Sequence, residues 1–222
     1  WADAGVLADP GETTGHPAGA VADEGWIHVT WHGTTTLRYV WGFVVPFDDL
    51  QPGAFYVVPV LWAADNGLTT GVGGTGLFQP HREITRAEAM TALWRLEGSE
   101  PGAPPSGFSD VQAGAFYTAA VNWARAEGLT TGVGGSNRFE PNRTITRGEL
   151  VTLLWRLAAS PAAPPAGFDD VSPGAFYAAA VDWARHEGIT TGVGGSNRFE
   201  PGRTISRAET FTLIYRYVLS TL

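Results

Sequence analysis

The chain has 222 residues, a hydrophobic fraction of 44%, 14 basic against 22 acidic side chains, and a formal net charge of −8. That acidity disfavours nucleic acid, whose backbone is bound through basic surface, and no apolar run approaches the roughly 18 residues of a membrane-spanning helix. Cysteine and lysine are both absent, which excludes thiol chemistry, thiolate metal sites, a Schiff-base lysine and a lysine-dependent phosphate loop.

Residues 1–46 form a segment of their own. Trp1 to Gly25 is rich in Gly, Ala, Asp and Pro, with Val6, Leu7 and Val21 as its larger aliphatic side chains, and is expected to be a flexible arm. Met90 is the only methionine, so Trp1 is expected to follow a removed targeting segment or a further domain. Trp26 to Trp31 and Leu37 to Val45 are aromatic and β-branched, and His32 to Thr36 separates them, which predicts a small β-hairpin. Isolated hairpins are marginal in water. This one is expected to lie on the rest of the chain or to pair with the arm of a neighbouring copy. His28 and His32, four apart on a strand, stand too far apart to share a metal, and no metal or cofactor is expected.

From Phe47 onward the sequence repeats. Gly53-Ala54-Phe55-Tyr56 recurs at Gly114 to Tyr117 and Gly174 to Tyr177. Thr69 to Gly74 (TTGVGG) recurs at Thr130 to Gly135 and Thr190 to Gly195. Ile84-Thr85-Arg86 recurs at Ile145 to Arg147 and, with serine for threonine, at Ile205 to Arg207. The matched offsets divide the rest of the chain into units 47–106, 107–166 and 167–222.

Each unit reads as helix, loop, helix. In the second copy the first helix is expected to carry Phe116, Ala120, Val121, Trp123 and Ala124 on its apolar face. Gly67, Gly128 and Gly188 stand where a left-handed residue ends a helix. The loop TTGVGG and a Phe-x-Pro (Phe78, Phe139, Phe199) follow. The second helix opens with Thr85-x-x-Glu88, Thr146-x-x-Glu149 or Ser206-x-x-Glu209, each a capping box. Proline-rich linkers, Glu100 to Gly107 and Ser160 to Gly167, act as stiff spacers. The fold class expected is mainly α, three helix-loop-helix repeats in one bundle beside a small N-terminal β-hairpin.

Together these motifs resemble the S-layer homology family: Phe-Asp/Ser-Asp-Leu/Val (Phe47 to Leu50, Phe108 to Val111, Phe168 to Val171), the tryptophan-centred helix, the glycine-rich loop, Phe-x-Pro and Ile-Thr-Arg-x-Glu. The resemblance covers the chain from Phe47 onward in three copies. It implies a pseudo-threefold bundle whose inter-repeat grooves bind anionic cell-wall polysaccharide, often one bearing pyruvate ketals. It also implies a secreted, noncatalytic protein of the cell surface or cell wall. The sequence departs from the family pattern at Phe55-Tyr56, where His-Trp is frequent, and at Gly148, where alanine is usual.

Several residue sets are candidates for ligand binding. Arg86, Arg147 and Arg207 stand one residue into a helix, where a cation faces the positive end of the dipole at a cost of up to ~1 kcal/mol, and the capping box gives no reason for them. The resemblance carries ligand binding onto these three. Arg82, Arg143 and Arg203 lie four residues earlier. The two sets either form an anion site together with the free helix amides or make ion pairs to Asp49, Asp110 and Asp170 of a neighbouring repeat. The pairs Gly73-Gly74, Gly134-Gly135 and Gly194-Gly195 either serve tight turns or wall a groove with backbone N–H groups. Trp62, Trp123 and Trp183 either stack on a sugar or pack in the core. Catalysis has little support, since no carboxylate pair recurs in all three units. The functional expectation is attachment to wall polysaccharide; the alternative is a subunit that self-assembles into a surface layer or filament through its arm.

Overall fold

A computed structural model describes residues 17–23, 26–31, 38–41 and 46–221. Strands β1 (Pro17–Asp23), β2 (Trp26–Trp31) and β3 (Arg38–Trp41) pair antiparallel in that order, with Ile27 opposite Trp41 and Thr30 opposite Arg38. The turn expected at 32–36, the stretch 42–45 and residues 1–16 of the arm lie outside the described residues.

The repeats supply six helices: α1 (Val57–Asp65), α2 (Arg86–Leu96), α3 (Thr118–Ala126), α4 (Arg147–Leu157), α5 (Ala178–His186) and α6 (Arg207–Ser220). All three capping boxes form: Thr85, Thr146 and Ser206 accept from the amides of Glu88, Glu149 and Glu209, whose carboxylates accept the cap amides in return. Beyond the C-terminal ends of α1, α3 and α5, Gly67, Gly128 and Gly188 take a φ of +72°. The amides of Leu68 and Leu129 then reach back to Ala63 and Ala124, closing a Schellman turn.

The first helix of the second repeat is shorter than the apolar pattern suggested. It begins at Thr118, so Phe116 precedes it, and the buried face is Ala120, Val121, Trp123 and Ala124. Phe55, Phe116 and Phe176 are instead 63–65% exposed. The buried ring at this motif is the following tyrosine, Tyr56 or Tyr117.

Packing crosses the repeat boundaries. α2 packs on α3, α4 on α5, and α6 returns to α1, so the second helix of each unit seats on the first helix of the next. The three units thereby close into a ring. At its centre the fully buried Ile84, Ile145 and Ile205 meet through their backbones: Ile84 N–H donates to the Ile205 carbonyl at 3.1 Å, Ile205 to Ile145 at 3.2 Å, and Ile145 to Ile84 at 3.1 Å. The helix starts continue the pattern. Arg86, Arg147 and Arg207 amides donate to the carbonyls of Arg143, Arg203 and Arg82, and Ala87, Gly148 and Ala208 amides to those of Pro141, Pro201 and Pro80. Backbone groups orphaned at a helix N-terminus are thus satisfied by the adjoining repeat.

Between the helices the glycine-rich loop is pinned by the aspartate at the third position of the repeat's opening motif. Asp49 accepts the amides of Phe78 and Gln79 at 2.8 and 2.7 Å, and Asp110 and Asp170 do the same for Phe139-Glu140 and Phe199-Glu200. That grip holds Gln79, Glu140 and Glu200 in left-handed conformation, φ 57–58°, a strained state for a side chain before proline. The strained turn aims the phenylalanine carbonyl at the preceding unit of the ring, where an arginine receives it.

One glycine of each loop has no substitute. A Cβ on Gly132 (φ +99°) would stand 2.6 Å from the Ser136 carbonyl and 2.9 Å from that of Arg138, whereas one on Gly135 (φ +72°) would meet nothing within 4 Å. Gly132→Ala is therefore expected to cost more than about 2 kcal/mol, from a forbidden contact added to backbone strain, and Gly135→Ala about 1 kcal/mol from strain alone. Urea midpoints of the two variants check this; equal losses would remove the close-contact explanation.

Candidate functional site

The arginines that open α2, α4 and α6 reach across the ring. Arg86 Nε donates to the Phe139 carbonyl at 2.8 Å, Arg147 to Phe199 at 2.9 Å and Arg207 to Phe78 at 2.7 Å. Each guanidinium also lies over the ring of that phenylalanine, 4.7–4.9 Å from its centroid. Each pairs with the capping-box glutamate of the next unit: Arg86 with Glu149 at 3.2 Å, Arg147 with Glu209 at 3.6 Å and Arg207 with Glu88 at 3.4 Å. These contacts explain a cation at a helix N-terminus, since a neighbouring carboxylate offsets the dipole. Burial pushes Arg86 and Arg147 down and brings Arg207 to about 10, against the opposing pull of the glutamates. All three stay charged at neutral pH.

Arg82, Arg143 and Arg203 do not reach Asp49, Asp110 or Asp170, which are committed to the loop amides. They pair within their own unit with Glu88, Glu149 and Glu209. Arg143 and Arg203 add a second bond, Nε to Glu140 and Glu200 at 2.8 Å. Gln79 stands in the first copy instead, and Arg82 Nε is buried without a partner. Each capping glutamate thus serves its helix cap, its own arginine and a neighbour's arginine. Burial would raise Glu88, Glu149 and Glu209, but the arginines and cap amides outweigh it and hold all three below the usual carboxylate range. The free helix amides expected beside these arginines are all taken by carbonyls of the adjoining unit or by the caps.

Open space lies one layer further out. A groove of about 340 Å³ runs between the first loop and α2, lined by Thr69, Thr70, Gly71, Val72 and Gly73 on one side and Glu88, Thr91, Ala92 and Arg95 on the other. Phe116 of the second repeat and Arg207 and Phe211 of the third complete it, so all three units contribute. Phe116 is 65% exposed and makes an edge-on contact with Tyr117, ring centroids 5.2 Å apart at 87°. Arg95 spends one N–H on the Leu68 carbonyl at 3.1 Å and, half-buried, turns the rest of its fork to the groove. Arg156 and Arg216 make the same bond to Leu129 and Ile189.

The sequence candidates therefore separate. Gly73 and Arg207 line the groove, and Gly134, Gly194, Arg86 and Arg147 are their repeat equivalents. Gly74, Gly135 and Gly195 sit in exposed turns at φ 69–73°. Trp123 and Trp183 are 9% and 3% exposed, turned inward by their helices, whereas Trp62 is half-buried and packs on Tyr215 at 5.3 Å. Sequence reading missed Arg95, Arg156 and Arg216, although each stands ten residues after a capping threonine or serine. It also missed Phe116, because an exposed phenylalanine reads as core. Among the described residues no cluster of metal-ligating side chains occurs, and no helix is long and apolar enough to cross a membrane.

Residues 46–90, 107–151 and 167–211 each match the model of the S-layer homology domain. An S-layer protein of Bacillus thuringiensis subsp. finitimus is 29% identical over 197 residues, 80% of this chain and 22% of that protein. The S-layer protein sap of Bacillus anthracis matches to the same extent. An amylopullulanase of Thermoanaerobacterium thermosulfurigenes is 29% identical over 179 residues, 76% of this chain and 9% of that protein. The chain thus spans 22% or less of the length of these curated relatives.

Because the inward arginines hold the ring together, Arg207→Ala is expected to cost about 3 kcal/mol or more, leaving the Phe78 carbonyl without its donor and Glu88 short of a partner. A melting temperature within a degree or two of wild type would place Arg207 outside the structural network. The pH response follows from the glutamates and from Asp110 and Asp170. Burial would raise the two aspartates, but the loop amides hold them low. A carboxylate depressed in the folded state contributes stability that is complete above its unfolded value, about pH 4–4.5, and is lost as pH falls through the folded one. Thermal melts should be level from neutrality down to about pH 5 and drop below about pH 4; a steep drop already complete above pH 5 would contradict the pairing.

Proposed function

The chain belongs to the S-layer homology domain family, and we propose that it is a noncatalytic attachment module whose inter-repeat grooves hold an anionic cell-wall polysaccharide. Its place is the cell surface or cell wall. The observation that carries the reading is the composition of the first groove. A half-buried cation, Arg95, an exposed aromatic ring, Phe116, and the hydroxyls of Thr69, Thr70 and Thr91 converge on one cleft. Those are the groups that a pyranose with an acidic substituent requires: an aromatic face for its C–H surface, hydroxyl partners for its rim and a guanidinium for its charge. Among the charged lining residues Arg95 and Arg207 outnumber Glu88, so the lining carries a net positive charge in an acidic chain.

A second reading, a subunit that self-assembles into a surface layer, is favoured by two relatives that bear the name S-layer protein. It is compatible with the first, and light scattering of the purified chain against concentration, with and without residues 1–25, tests it.

Attachment is tested by cosedimentation with purified bacterial wall polysaccharide. Arg95→Ala should weaken binding tenfold or more while moving stability by less than about 1 kcal/mol, because only one hydrogen bond to a carbonyl is lost. Added salt should also weaken binding, since the guanidinium meets the ligand near solvent. Undiminished binding by Arg95→Ala, or an affinity indifferent to salt, would count against an anionic ligand.

A further inference from the structure

We propose that the three grooves are not equivalent: Ala92 leaves the first open to a single sugar unit, whereas Leu153 and Leu213 fill the same place in the other two. The inference rests on the attachment reading and adds which groove does the work.

The frame around each groove is the same. Seven residues after the capping Thr85, Thr146 or Ser206, the sequence places Ala92, Leu153 or Leu213. The residue before it, Thr91, Thr152 or Thr212, donates its hydroxyl to the carbonyl four residues back at 2.7–2.8 Å in all three copies, so the helix backbone under the groove does not differ. The opposite wall is held alike, with the amides of Gly71, Gly132 and Gly192 bound to Thr69, Thr130 and Thr190 at 3.1–3.2 Å. The arginine ten residues past the cap bonds the same carbonyl in each unit. Phe116, Phe176 and Phe55 recur with equal exposure at the equivalent place. Frame, wall and aromatic ring are alike, and the cation differs only in that Arg216 is more exposed and bonded at 3.4 Å against 3.1 and 2.8 Å, so the floor is what varies most.

At that floor a leucine carries three more carbons than alanine. Ala92, Leu153 and Leu213 are all buried, 2%, 6% and 4% exposed, so the leucines' extra carbons lie beneath the groove surface, in space that the shorter Ala92 leaves to the first groove. Beside Ala92 lies Phe211, whose repeat equivalents are Met90 and Val151. Phe211, itself buried, takes back part of the volume with an aromatic ring. The resulting 340 Å³ sits at the low end of small-ligand pockets, roughly 300–1,000 Å³. That suits one ring, and a gap of this size is sensitive to a single isobutyl group. The observed asymmetry thus makes residue 92 a gate on which groove is used.

Titration calorimetry with two- to four-sugar fragments of purified wall polysaccharide tests this. The wild-type chain should bind one equivalent. Ala92→Leu should weaken that binding tenfold or more, and Leu153→Ala should raise the stoichiometry to two. The gain guards against misfolding, since a damaged protein does not acquire a site. Three equivalents for wild type, or undiminished binding by Ala92→Leu at an unchanged melting temperature, overturns the assignment while leaving attachment standing. No binding by wild type or by Leu153→Ala removes the attachment reading and this assignment with it.

Discussion

A backbone amide buried at the middle of a protein has to find a carbonyl, and here none is available within its own repeat. The Ile84, Ile145 and Ile205 amides each borrow one from another unit, in a closed cycle of three. The first amides of α2, α4 and α6 do likewise. An unmade bond at such a place costs about 1–3 kcal/mol, and a solitary helix-loop-helix would leave several unmade. The repeat is therefore not a small domain that happens to stack. It is a third of a domain, and closure of the ring supplies what each third lacks.

The charges are layered on that backbone cycle. One carboxylate per unit caps a helix, neutralises the arginine of its own loop and receives the arginine of a neighbour. Such sharing explains why an acidic chain spends so many of its 14 basic residues inward. It also separates roles that a sequence motif blends together. The arginine of Ile-Thr/Ser-Arg is chiefly a strut, its guanidinium bonded to a carbonyl and laid over a phenylalanine. The cation left for a ligand comes from the far end of the same helix, where a positive charge also suits the dipole.

The repeats, the helix order, the capping boxes and the glycine C-caps were legible because each depends on neighbours within about four residues. Contacts between residues far apart in sequence were not. Nothing local says that Arg86 finds Phe139, or that Asp49 gives both carboxylate oxygens to loop amides about thirty residues away. The aromatic residues misled for a related reason. In Phe-Tyr one ring is buried and the other exposed, and both look apolar in sequence, so Phe116 was read onto a helix face that begins only at Thr118. Trp123 and Trp183 could have been core or sugar platform on composition alone; their helical phase against Ala120 and Ala124 turns them inward.

The seam between α1 and α6 joins parts of the chain far apart in sequence: Arg207 and Phe78 are 129 positions from one another. The other two junctions are also tied by a covalent linker of proline-rich chain; this one is held by contacts alone. Tension applied between the two ends of the ring would therefore be carried by that seam, with the linked junctions shielded behind it. The first groove straddles the same seam, taking its loop from the first unit and Arg207 and Phe211 from the third. A saccharide seated there would act as a rivet across the one joint without a covalent tie, and under load the grip and the joint would give way together.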